Sequence, residues 1–184
     1  MTVHFSDDAA ISLHADDFAL FDQPRRFAQD AARLDARWKE LQRQVHPDRF
    51  AAQGPAAQRV AVQWSARINE AYRRLKDPLR RAAYLCELHG APIEAERNTA
   101  MPPEFLMQQM ELREALDEAA SAEALDQIDH QTLALRRDLL SKMEHQIDAE
   151  ADWPAAAASV RAMMFLDRLA DEIERKRGQA ERLG

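Results

Sequence analysis

The chain has 184 residues, of which 46 % are hydrophobic and 31 % charged, a balance that supports a folded core and excludes a disordered chain. With only 4 Gly and 7 % aromatics in a sequence rich in Ala, Leu, Glu, Arg and Gln, the fold class it points to is all-α. No run reaches the roughly 18–20 apolar residues of a membrane span. The opening MTVHFSDDAA is acidic and has neither the basic flank of a signal peptide nor the Arg-rich helix of a transit peptide. Residues 1–16 are therefore expected to form a loose, flexible tail on a cytoplasmic protein that has no membrane partner.

The net charge of −7 is unevenly divided, with 14 basic and 10 acidic side chains in residues 14–89 but 11 and 20 in residues 90–184. Regions of opposite sign predict two modules with different partners. The single cysteine, Cys86, excludes an intramolecular disulfide and any CxxC-type metal site. Its neighbours Tyr84, Leu85 and Leu88 suggest a small core residue.

In chain order, the first helix is short, Asp17 to Phe21, and stops before Pro24. The second starts from an N-cap at Asp30 and runs to Val45. Its Leu34, Trp38, Leu41 and Val45 fall within roughly 60° of one another on a helical wheel and make one buried stripe. His46-Pro47-Asp48 follows, and Pro47 drives His46 out of the helical region to begin a loop that extends through Gly54 and Pro55. The third helix, about residues 56–76, carries the stripe Val60, Trp64, Ile68, Ala71 and Leu75, so helices two and three form an antiparallel hairpin. Asp77-Pro78 opens a fourth helix that ends at His89-Gly90, where Gly90 can take the left-handed terminating conformation.

Residues 90–103, with three prolines and no apolar period, read as a linker. Beyond it lie helices at about 104–119, 122–148 and 153–182, with Ser121 and Asp152 placed as N-caps and Pro154 in a first turn. Leu125, Ile128, Thr132, Leu135, Leu139, Met143 and Ile147 repeat at alternating three and four, the seam of a three-helix bundle with short loops. The predicted organisation is thus a tail over 1–16, a hairpin domain over 17–89, a linker over 90–103 and a bundle over 104–184.

Two surfaces carry chemistry. Around the hairpin loop, Pro47 stiffens the turn, His46 can orient it by hydrogen bonding to backbone, and Asp48 offers a carboxylate that a partner arginine could grip bidentately. Lys39 and Arg43, opposite the buried stripe, form a basic surface with Arg49. On the first bundle helix, Phe105, Leu112, Leu116 and Ala119 make the core stripe. Leu106, Met107 and Met110 lie on the far side, with Glu111 and Glu114 beside them. In the last helix Met163, Leu166, Ala170 and Ile173 face inward, while Phe165 is expected to project away from them. An apolar patch with acidic edges predicts a partner site.

A helical hairpin with His-Pro-Asp in its loop, flanked by Phe18-Ala19-Leu20-Phe21, LQRQVHPDRF and INEAYRRLKDP, resembles the J domain. Followed by a linker and an acidic bundle reading FLMQQMELREALDE and FLDRL, it is similar to the HscB-type J-domain co-chaperones of iron–sulfur cluster biogenesis. The resemblance spans about residues 17–180. It implies that Lys39, Arg43, His46, Pro47, Asp48 and Arg49 dock on an HscA-like chaperone of the DnaK type and promote its ATP hydrolysis. It also implies that Leu106, Met107, Met110, Glu111, Glu114 and Phe165 bind an IscU-like scaffold protein. The alternative is a J-domain co-chaperone with a different dedicated client. The chain departs from the pattern at Asp22 and Gln23, where such proteins often have Gly and an apolar residue, and at Val45, which replaces an aromatic.

Other classes fit poorly. His46 and Asp48 lack the further ligands that a metal site needs, and an iron–sulfur cluster would need cysteines, so no metal or cofactor is expected. An enzyme needs a concave site and a nucleophile with its base, neither of which the pattern offers, and an acidic bundle repels nucleic acid.

Overall fold

The computed structural model describes residues 2–4, 10–12, 15–94, 101 and 103–183. Two short strands, β1 (Thr2–His4) and β2 (Ala10–Ser12), pair antiparallel within the segment expected to be a loose tail. Seven α-helices follow among the described residues: α1 (Asp17–Leu20), α2 (Ala31–Gln44), α3 (Pro55–Lys76), α4 (Pro78–Leu88), α5 (Pro103–Glu118), α6 (Ala122–Glu144) and α7 (Trp153–Leu183). A 3₁₀ turn over Pro47–Gln53 occupies the loop between α2 and α3, and a π-helical turn over His145–Ala149 ends α6.

The helix starts follow local chemistry. Asp30 accepts from the amides of Ala32 and Arg33, Ser121 from Ala124 and Asp152 from Ala155, each satisfying donors that the first turn leaves free. Gly90, at φ 76°, ends α4 as expected. Asp22 ends the α1 turn at φ 52°, in the left-handed region. Glycine is at ease there, and aspartate tolerates it better than most residues.

The chain divides into two compact units at Arg81/Ala82, inside α4 rather than at residue 89. In the first unit α2 and α3 pack through Leu34, Leu41, Val45, Trp64, Ile68 and Leu75, each 1 % exposed or less. A polar seam runs beside this core. The Trp38 indole and the Gln42 amide both donate to Asn69 Oδ1 at 2.9 Å, and the Ser65 hydroxyl donates back to Gln42. α1 is tied to α3 by Asp17, whose buried carboxylate meets Arg67 at 2.5 Å and Arg74 at 2.9 Å. At the end of this unit, Arg81 donates to the Leu75 carbonyl and lies over the Phe27 ring.

In the second unit α4 contributes Ala82, Leu85 and Cys86, all fully buried. Burial, reinforced by the charge of Glu87, pushes the Cys86 thiol up to about 11, which suits a packing residue rather than a nucleophile. The boundary moves into α4 because these residues and the segment after them pack on α7. His89 stacks on Trp153 at 3.8 Å, and Arg161 donates to the Ile93 carbonyl. Ile93 is itself buried, so the near end of the expected linker is packed, while residues 95–100 and 102 lie outside the described residues. The bundle core gathers Leu112 and Leu116 of α5, Leu125 and Ile128 of α6, and Leu166, Leu169 and Ile173 of α7. Lys176 reaches across to the Leu116 and Asp117 carbonyls and caps the C-terminus of α5.

Candidate functional site

The hairpin loop is organised by its own three residues. Pro47 requires an extended residue before it, and His46 adopts φ −58°, ψ 127°. The Asp48 amide then donates to His46 Nδ1 at 3.3 Å, which holds the imidazole across the turn. Asp48 Oδ2 lies 3.6 Å from the same nitrogen, close enough to become an ion pair if the ring is protonated. The Asp48 side chain remains 91 % exposed, so its carboxylate stands open to a cationic partner. Arg49 closes the arrangement by donating through its guanidinium to the Arg43 carbonyl at 3.1 Å, which ties the loop to the last turn of α2.

Lys39 and Arg43 are exposed on the outer face of α2 and form no salt bridge among the described residues. Their neighbours are neutralised, Arg33 by Asp22 and Arg37 by Glu40. The α2 charge outside any salt bridge among the described residues therefore lies on Lys39, which also feels the Asp35 carboxylate, and on Arg43, next to the loop. Lys76 is spent elsewhere, bonded to Asp35 and to the Tyr72 hydroxyl. That contact holds the Asp35 carboxyl below its ordinary range, chiefly through Lys76 and then through Tyr72.

On α5, Leu106, Met107 and Met110 are 42 %, 63 % and 71 % exposed, and Glu111 and Glu114 stand beside them without a salt bridge among the described residues. Large apolar side chains exposed together on one helix face are uncommon unless something covers them.

Phe165 departs from expectation. It does not project from the bundle but is 8 % exposed within the core. Its ring meets Phe105 edge-on at 6.1 Å, and Arg113 lies over its face at 5.3 Å. The wheel misplaced it because it assumed one narrow stripe. α7 packs against α5 as well as α6, so its apolar arc must be wide enough for two neighbours.

Residues 101–174 match a family model described as the HSCB C-terminal oligomerisation domain. The co-chaperone protein HscB homolog of Burkholderia multivorans is 49 % identical over 176 residues, covering 94 % of this chain and 98 % of that protein. The chain belongs to the HscB co-chaperone family. The fold agrees with solved HscB structures. The Vibrio cholerae chaperone HscB is 38 % identical with a TM-score of 0.75, over 90 % of this chain and 99 % of that one. Human co-chaperone HscB is 30 % identical with a TM-score of 0.84, over 91 % and 85 %. Two terminal strands aside, this HscB-family chain is thus all-α, a J domain followed by a helical bundle.

Sequence reasoning missed three contributors to these surfaces. Asp17 was read only as a helix start, although it is fully buried between two arginines of α3. Arg113 and Lys176 support α5, one over the Phe165 ring that meets Phe105 and one at the helix end. A carboxylate one and four residues before two buried aromatics, Phe18 and Phe21, was the available signal for Asp17. Nothing local marked the other two.

Proposed function

We propose that this HscB-family chain works in the cytoplasm as a co-chaperone of iron–sulfur cluster assembly. It holds an IscU-like scaffold on α5 and brings it to an HscA-like chaperone of the DnaK type, whose ATPase it stimulates. The observation that carries this reading is the loop at residues 46–49. A histidine spans the turn, a proline stiffens it, an arginine fastens it to α2, and the aspartate stays open to solvent. A rigid loop loses little freedom on docking, and an exposed carboxylate can accept a bidentate arginine from the chaperone. Lys39 and Arg43, which make no salt bridge among the described residues, supply attraction to an acidic chaperone surface beside it. Leu106, Met107 and Met110 supply the apolar contact with the scaffold, while Glu111 and Glu114 set its orientation. Phe165 belongs to this site as a support, holding Phe105 and with it the α5 backbone in place.

The test is a steady-state ATPase assay of the cognate chaperone with and without the scaffold. His46→Gln and Asp48→Asn should abolish stimulation while the melting temperature stays at the wild-type value, because neither side chain enters the α2–α3 core. Undiminished stimulation by either variant would refute the role given to the loop.

A further inference from the structure

The apolar surface does not stop at α5. Beside Met107 the chain leaves a furrow of about 490 Å³ between α5 and α6, floored by Phe105, Leu135 and Leu139 and edged by Glu104, Glu111 and Asp138. A second hollow of about 480 Å³ shares Gln108, Glu111 and Leu135 with it and continues the furrow past Ala115, Gln131 and Ala134. Under Phe105 and Leu139 opens a smaller chamber of about 120 Å³, walled by Ala155, Ala158 and Ala162 of α7. Alanines at these positions are too short to fill the space beneath the ring. Lys142, Gln146 and Ser159 also line this open chamber, whose size is near that of cavities of about 150 Å³ that take a benzene-sized group.

The charges on the rim are just as informative. Glu104, Glu111 and Asp138 have no salt bridge among the described residues, and Lys142 is the one basic residue lining the first furrow. Elsewhere on the bundle some acids are matched within the chain, Asp126 with Arg177, Asp167 with Arg136 and Glu172 with Arg113. Others such as Glu118 and Asp171 stand on the surface without a salt bridge among the described residues and do not gather around an apolar floor. Unpaired carboxylates around an apolar floor define what complements them, an apolar side chain with a lysine or arginine close by.

We propose that the client site extends from α5 onto α6 through this furrow. It receives a segment of the scaffold protein that inserts an apolar side chain between Phe105, Leu135 and Leu139 and pairs a neighbouring basic side chain with Asp138 and its acidic neighbours. This rests on the reading of α5 as the scaffold-binding face and adds α6 residues that choose which segment is accepted.

Calorimetric titration of the full-length chain with the scaffold protein tests it, using Asp138→Arg, Ala134→Trp to obstruct the furrow, and Asp171→Arg as the same charge change on α7 away from the furrow. Asp138→Arg should weaken binding about three- to tenfold and Ala134→Trp about fivefold or more. Asp171→Arg should stay within about twofold of wild type, and all three should melt as wild type does. Reversing one lysine or arginine of the scaffold to glutamate should restore affinity for Asp138→Arg. Scaffold binding by Asp138→Arg and Ala134→Trp at wild-type strength overturns the furrow while leaving α5 as the client face. Equal weakening by Asp138→Arg and Asp171→Arg overturns it in favour of general acidic attraction. Loss of a wild-type dimer in sedimentation, with scaffold affinity unchanged, would assign the furrow to a second copy instead. A wild-type chain that fails to bind scaffold at all removes both readings.

Discussion

Replacing Phe165 with alanine separates a core residue from a contact residue on the same apolar surface. The side chain is 8 % exposed, so truncation removes a nearly complete aromatic burial, and large-to-small changes of this kind cost about 3–5 kcal/mol. Loss of the edge-on contact with Phe105 and of Arg113 over the ring belongs to the upper part of that range, since each such contact contributes roughly 0.5–1.5 kcal/mol. For a unit of this size the melting temperature should fall by on the order of 10–20 °C. Met110→Ala, at a side chain 71 % exposed, should change stability by less than about 0.5 kcal/mol. The assay is urea and thermal unfolding followed through Trp153, the tryptophan of the second unit, since Trp38 and Trp64 report on the first. Scaffold titration of both variants at a temperature where each is folded completes the comparison. Phe165→Ala should bind less well only as far as α5 loosens, whereas Met110→Ala should bind less well with its stability intact. If Phe165→Ala melts with the wild type yet loses scaffold binding, the ring is an exposed contact and its placement in the core is refuted.

Three further outcomes follow from named contacts. Asp17→Ala removes the carboxylate shared by Arg67 and Arg74 and should destabilise the first unit by about 2–4 kcal/mol. That is below the full cost of a broken buried pair, because both arginines keep some access to water and Arg74 retains Glu70; a loss under 1 kcal/mol in urea titrations followed through Trp38 and Trp64 would contradict it. The Cys86 thiol, with an ordinary value of 9.0, is pushed by burial up to about 11. The unfolded thiol therefore ionises first, the native state binds more protons between pH 9 and 11, and stability present in full below pH 9 should fall across that window by up to about 1.4 kcal/mol per pH unit. Cys86→Ala should flatten that part of the profile, and an unchanged slope would contradict the assignment. Lys39→Glu with Arg43→Glu should weaken ATPase stimulation most at low ionic strength, because exposed charges are screened beyond about 8–10 Å at physiological salt; a wild-type interaction indifferent to salt would exclude the α2 face as the docking surface.

Much of the chain was legible in the sequence alone. Asp30, Ser121 and Asp152 cap helices where their spacing placed them, and Pro47 and Gly90 interrupt the chain where their backbone preferences demand it. The stripe from Leu34 to Val45 faces inward, and Leu106, Met107 and Met110 face outward. Each of these is decided within one or two turns, by a side chain acting on nearby amides or by the angular period of a single helix. The exposed face of α5 was readable because that helix offers one narrow stripe to its neighbours and leaves the rest bare.

Tertiary structure decided whatever depends on where a second element arrives. Asp17 becomes a buried ion only because Arg67 and Arg74, fifty and more residues away, converge on it. Cys86, Trp153 and Arg161 bring α4 and Ile93 into the second unit, although the spacing around residue 89 marks only a helix end. Phe165 turns from contact to core because α7 faces two helices at once. The furrow beside Met107 exists because Leu135 and Leu139 of α6 come to lie against Phe105 of α5, and the chamber next to it because Ala155, Ala158 and Ala162 of α7 wall it. A helical wheel gives the direction of each side chain about its own axis, but burial and pairing are set by the rotation and distance of the neighbouring axis, and those follow from packing the whole unit at once.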